Sequence, residues 1–141
     1  MQQPQDSESL KDLDGVRVAV EEPLPRGLSR DTLKAAVESQ LRAQQITVLG
    51  MGEFPTGDPH LRVTVSVSAE RNGLVAAGVQ LDFVQIVFLR RNPQVTFNRA
   101  QTWKADARVA ILPVSQLARE VERDLSRQVT QFVTDYRSVN S

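Results

Sequence analysis

Leu61-Arg62-Val63-Thr64-Val65-Ser66-Val67-Ser68 alternates apolar and polar residues without a break, and Asn72-Gly73 comes soon after it. Successive strand side chains point to opposite faces, so this stretch has one dry and one wet face. Asn-Gly is the strongest short hairpin signal, because both residues tolerate positive φ. The returning stretch, Leu74 to about Arg90, sets Val79, Leu81 and Phe83 on one face and Gln80 and Asp82 on the other. Beyond Asp82 the pattern changes, and Val84, Ile86 and Phe88 occupy the face that should be wet. Two readings stand. Either the outer face carries an apolar patch that wants a partner, or a bulge near Gln85 swaps the faces and returns all three residues to the core.

Working outward, Val16 to Val20 reads as a short strand with alternating valines, ended by Pro23 and Pro25. Ser29 is placed to cap a helix from about Arg30 to Gln44, with Leu28 and Leu33 as a hydrophobic staple and Asp31 at the positive end of the dipole. Leu33, Ala36, Val37 and Leu41 form its buried stripe, opposite Lys34, Glu38 and Arg42. Ile46 to Leu49 reads as a second strand, and Gly50 to Pro59, rich in glycine and proline, as a loop. Gly78 marks a bend or bulge in the long return strand. Asn92-Pro93 turns the chain into a strand from Val95 to Trp103, and Arg108 to Leu112 is compatible with a further extended segment. After Pro113, Ser115 is placed to cap a terminal helix whose stripe is Leu117, Val121, Leu125, Val129, Phe132 and Tyr136. Burying such a stripe contributes about 1.5–3 kcal/mol per large side chain.

These elements predict an α+β fold of order βαβββα. It is a two-layer sandwich, with a mostly antiparallel sheet of four to five strands carrying two helices on one face. The first strand–helix–strand unit is expected to supply one parallel pair. With 141 residues the chain fits one domain, able to bury roughly two thirds of the surface its unfolded form exposes. Residues 1–9 read as a disordered polar tail and 10–141 as the single folded domain. Met1 to Glu8 has neither a basic head nor an apolar stretch, so it does not read as a secretory signal. It is either a polar terminus in its own right or the new start of a chain whose signal has been removed.

Composition narrows the chemistry. Lys+Arg 17 against Asp+Glu 17 leaves no net charge, which lacks the electrostatic footprint of a nucleic-acid binder. Modest basic clusters at Arg90-Arg91 and at Arg99, Lys104 and Arg108 come with few aromatics, and Phe83, Phe97 and Phe132 fit core stripes. The absence of cysteine removes disulfides, thiolate metal sites and thiol nucleophiles. No apolar run reaches the length of a membrane span. His60 is the only histidine, so no paired-histidine metal site is expected, and between Pro59 and Leu61 it reads as a surface residue. Gly50-Met51-Gly52 lacks the third glycine and the helix of a dinucleotide loop, and no serine sits in a nucleophile elbow. Glu21-Glu22 reads as a solvated strand end. Asp82 reads as a solvated or paired carboxylate, with Arg99 a candidate partner across the sheet. Trp103, the only tryptophan, sits at a strand end where it can anchor the core or an interface.

Several segments together resemble a family of small uncharacterised exported bacterial proteins. They are Gly27-Leu28-Ser29 leading into the first helix, Ile46 to Leu49, the lead-in Gly57-Asp58-Pro59-His60-Leu61-Arg62-Val63, the pair Thr102-Trp103, and Phe132 to Asn140 in the closing helix. In the lead-in, His60 stands where an aromatic is commoner. The resemblance covers most of the chain, and its motifs are packing motifs. It implies an export signal on the natural precursor and a periplasmic or secreted home, and it supplies no activity or functional residues.

The sequence therefore predicts a non-enzymatic domain, without catalytic residues, cofactor or metal, that works by association with a protein partner or with itself. Val84, Ile86, Phe88 and Trp103 are the interface candidates. The alternative is a carrier of a small apolar ligand or lipid, with its pocket between sheet and helices. An enzyme built on Asp82 or Glu21 ranks third, since it lacks a nucleophile–base pair.

Overall fold

The structure is a computed structural model and describes residues 4–140. Its elements are α1 (Pro4–Glu8), β1 (Arg17–Val20), α2 (Arg30–Ala43), β2 (His60–Val67), β3 (Leu74–Leu89), β4 (Asn92–Lys104), β5 (Val109–Pro113) and α3 (Leu117–Val139). The strands form one five-stranded sheet in which β1, β2, β3 and β4 lie in that order and β5 also pairs with β3. β1 runs parallel to β2, and every other pairing is antiparallel.

β3 is the spine, because its length gives it three partners. One edge bears β2, with Val67 opposite Ala77 and His60 opposite Val84. The other edge is shared: β5 takes Leu74 to Gly78 and β4 takes Asp82 to Leu89. Along β3 the inward residues Val75, Ala77, Val79, Leu81 and Phe83 are all buried. They join Leu61 and Val63 of β2, Leu33, Val37 and Leu41 of α2, and Val121, Leu125, Val129 and Phe132 of α3 in one core cluster. Both long helices thus cover one face of the sheet, as the periodicity requires. Asn72 and Gly73 take φ values of 53° and 78°, the left-handed turn their sequence demands. Ser29 caps α2, accepting a hydrogen bond from the Thr32 amide.

The edge of β3 has a gap. Between Gly78 and Asp82 neither β4 nor β5 is in register, yet Val79 and Leu81 are buried there. Gln128 of α3, fully buried, fills it: its Nε2 donates to the Val79 carbonyl and its Oε1 accepts from the Leu81 amide, both at 2.7 Å. The Ala105 amide donates to the Leu81 carbonyl beside it. A side-chain amide thus stands in for a missing stretch of strand. Buried backbone groups must be paired, and this is how they are paired here.

Several expectations need correction. Ile46 to Leu49 does not form a strand; it makes a single parallel bridge, Val16 to Val48, after Gln45 turns the chain at φ 65°. The parallel partner of β1 is instead β2. Within the expected polar tail, residues 1–3 lie outside the described residues, but Pro4–Glu8 form α1; Leu10, where the folded domain was expected to begin, is fully buried. The Ser9 hydroxyl donates to the Thr102 carbonyl, Gln85 donates to the Ser9 carbonyl, and Asn140 donates to the Leu10 carbonyl, so distant chain holds this segment. Gly78 marks no bulge in β3, whose pairing with β2 and β5 passes through it in register. Its role is close approach, since a Cβ there would sit 3.1 Å from the Arg108 carbonyl oxygen. Ser115 does not cap α3; a 3-10 turn, Val114–Gln116, leads into the helix without a side-chain cap.

Replacing Gln128 with Leu keeps the volume and strips both hydrogen bonds from β3. The expected loss is about 1–3 kcal/mol for each backbone group left unpaired, read from urea unfolding. A loss below about 1 kcal/mol in total would mean that water or a sheet rearrangement satisfies the gap.

Candidate association surfaces

The outer face of the sheet, away from the helices, is polar at its centre. Asp82 is almost fully buried, with Arg62 Nε donating to it at 2.9 Å, Arg62 Nη2 donating to its second oxygen, and Gln101 Nε2 donating at 2.6 Å. The hydrogen bond and charge of Asp82 raise the Arg62 guanidinium above its ordinary value, against a smaller opposing effect of burial. The partner expected for Asp82, Arg99, reaches Glu21 instead, at 3.0 Å. Glu21 comes directly after β1 and Arg99 lies on β4, three strand spacings or roughly 14 Å apart on a flat sheet. Extended arginine and glutamate side chains together reach across such a distance, so the pair ties the two edges of the sheet. His60 Nδ1 lies 2.8 Å from the Asp58 carbonyl oxygen, a local contact in the loop before β2.

The four sequence-predicted interface residues divide into two pairs. Trp103 is buried, edge-on to Phe132 at 5.3 Å between ring centroids, and its indole N–H donates to Asp135 at 2.9 Å. It is a core anchor and offers nothing to a partner. Val84 faces outward in register, between His60 and Gln101, but is 1% exposed and lies outside the main core cluster. Ile86 and Phe88 are 41% and 62% exposed.

The face swap near Gln85 does not occur in β3. Opposite Phe83–Val84 and Gln85–Val87 it is β4 that takes an extra residue each time. Bulges on the partner strand bend the ribbon and leave the parity of β3 intact. Ile86 and Phe88 therefore stay on the outer side, and Val87 turns the other way, opposite Phe97. β2 begins at His60, opposite Val84, so beyond that point β3 and β4 run on as a two-stranded arm. The Ile86 amide, donating to the Gly57 carbonyl at 2.7 Å, ties the edge of this arm to the loop before β2.

The sequence reading missed a second exposed apolar surface. It lies at the other end of β3, where Val109 and Ile111 of β5 are 77% and 76% exposed beside half-exposed Leu74 and Val114. Ala110 and Leu112 turn inward between them, so β5 is apolar outside as well as inside. Among the described residues β5 pairs with β3 alone, which leaves its other edge open. The signal was present in the alternation of Arg108 to Leu112, but five residues of mixed apolar type do not reveal which parity faces the core.

A groove of about 420 Å³ lies between β3, β5 and the first half of α3, lined by Ala77, Val79 and Val121 and rimmed by charged side chains. Arg123 pairs with Glu120 and Arg127 with Asp124 along that rim. No helix among the described residues is long and apolar enough to cross a membrane.

No protein-family model matches the sequence, and neither does any curated protein. Among solved structures, a minor lipoprotein from Acinetobacter baumannii is similar at 16% identity over 86% of this chain and 92% of its own, with a TM-score of 0.43. A PelC dodecamer from Paraburkholderia phytofirmans is similar at 13% identity over 89% of this chain and 90% of its own, also with a TM-score of 0.43.

Replacing Asp82 with Asn keeps the shape and removes the charge that holds Arg62. The expected cost is about 1.5–3 kcal/mol, the range for hydrogen bonds to charged groups, read as a lower melting temperature. An unchanged melting temperature would free Asp82 for a role other than holding the sheet.

Proposed function

We propose that this chain is a non-enzymatic exported domain that works by protein association, most simply with a second copy of itself, through the apolar surface at β5. The observation that carries this is the exposure of Val109 and Ile111 on a strand whose outer edge is open. An uncovered apolar edge strand is a template for another strand, and natural proteins otherwise blunt such edges with charge or bulges. Here the only blunting device in the strand is Pro113, at its last residue. Pairing two β5 edges antiparallel would set Val109 and Ile111 of each copy beside those of the other, an isologous contact. The export part of the reading rests on the family resemblance of the sequence.

The non-enzymatic part is supported by how the candidate groups are engaged. Asp82 is held by Arg62 and Gln101, and Glu21 is held by Arg99. The groove under β5 has an apolar floor at Ala77, Val79 and Val121 but a rim of Arg108, Arg123, Arg127, Glu120 and Asp124, charges that an apolar ligand would leave unmatched.

Sedimentation velocity across the micromolar range tests the reading. The native chain is expected to dimerise, and Val109→Lys with Ile111→Lys to run as a folded monomer. A buried Ile or Val side chain is worth about 1.5–3 kcal/mol, so the double change is expected to weaken self-association by well over tenfold. A native chain that stays monomeric, with no protein partner whose binding the double change abolishes, would overturn the proposal.

A further inference from the structure

The opposite end of the sheet has a different character, and from it we infer a second contact: the arm of β3 and β4, with the loop before β2, seats on the surface of an anionic phospholipid layer. This goes beyond the association proposed for β5 and uses none of its residues.

Two projections meet at this end. One is the arm, which carries Ile86 and Phe88 on one side and Phe97, half exposed, on the other. The second is the loop 50–59, which carries Phe54 at 81% exposure, with Met51 more exposed still. They belong to the same end, since Gly57 of the loop accepts from the Ile86 amide. Arg17, which lies in register with His60 and so with Val84, also holds the loop. Its guanidinium donates to the Gly50 and Glu53 carbonyls and sits 5.7 Å from the centre of the Phe54 ring. The loop is thus braced to present Phe54 and not to bury it.

What covers these groups is decided by two features. A protein surface covers one side of a ribbon, whereas this arm is apolar on both. A lipid layer surrounds whatever projects into it, so it can cover both apolar sides of the arm at once, with burial of apolar area as the attraction. The second feature is charge. Between Asp82 and Asp106 the chain has Arg90, Arg91, Arg99 and Lys104 and no carboxylate, although the whole chain is neutral. Arg99 is balanced by Glu21 and the loop brings Glu53 and Asp58, so the positive charge offered to a headgroup is that of Arg90 and Arg91. Arg90 and Arg91 are exposed at the turn of the arm. Arginines beside exposed aromatics match phosphate headgroups above an acyl boundary, with their stems along the apolar surface. β5 offers a contrast, with one apolar outer side and an open strand edge.

Vesicle co-sedimentation tests this. The native chain is expected to pellet with vesicles of equimolar phosphatidylglycerol and phosphatidylcholine, weakly with phosphatidylcholine alone, and less as salt rises. Arg90→Glu with Arg91→Glu is expected to lower partitioning onto the anionic vesicles by tenfold or more. Phe88→Ser with Phe97→Ser is expected to lower it on both kinds of vesicle. A melting temperature equal to that of the native chain qualifies each variant, and the arginine pair, exposed at a turn, carries the test if the phenylalanine pair unfolds. The inference fails if the native chain stays in the supernatant with anionic vesicles, or if the qualified variants bind as it does. It also fails if Phe88→Ser with Phe97→Ser turns a lipid-free oligomer into monomers, which would assign the arm to a second copy. Loss of dimers in the β5 variant with vesicle binding retained would separate the two proposals.

Discussion

One amide holds the layers of this domain in register. β3 offers a single edge to two strands that do not meet, and Gln128 supplies the donor and acceptor that the vacancy between them requires. The same side chain donates to Asp124 one turn earlier in α3, so its orientation is fixed from the helix side as well. Helix and sheet are therefore joined by directional bonds in addition to apolar packing. Hydrophobic burial is non-directional and would tolerate a helix slid along the sheet, whereas two short hydrogen bonds in a dry setting do not. The position of α3 then fixes the floor of the core, because Phe132, one turn further along, sits against Phe83, Trp103 and Tyr136.

The outer face depends on the same spine. A strand buried on its inner side by α3 still has to satisfy its outward side chains, and at Asp82 it does so with a carboxylate that water barely reaches. A charge in that position is costly unless it is paired and hydrogen-bonded. Arg62 from β2 and Gln101 from β4 meet the requirement from both neighbouring strands. The centre of the outer face is thereby spoken for, and the surfaces left open lie at the two ends of β3, where its neighbours run out.

Much of this was legible in the sequence, because strand and helix periods are local properties. The alternation of Leu61 to Ser68 gave β2 its faces, and Ser29 with its leucine staple located α2; for Ile86 and Phe88 the sequence left two readings open, which differ in whether β3 carries a bulge. What was not legible depends on distant chain. Parity alone cannot say that Val84 is covered, since that is set by its flanking strands. The apolar string Ile46 to Leu49 has the composition of a strand but meets only Val16. The polar segment Pro4–Glu8 has no stripe to predict its helix, and Ser9 and Leu10 are held by Thr102, Gln85 and Asn140 from far along the sequence. Trp103 was legible as an anchor but not its side, which Asp135 settles by accepting the indole N–H.

The Gln128 bond also makes the sheet's completion conditional. Residues 79 and 81 are joined through a side chain almost fifty positions away, so β4 and β5 can both settle on β3 before its edge is sealed, but the seal waits for the last helix to dock. The pairing of this edge is therefore tied to the docking of α3. The Leu81 amide hydrogen is thus a native reporter of α3: any opening that lifts the helix, even with every strand in place, hands that one proton to solvent.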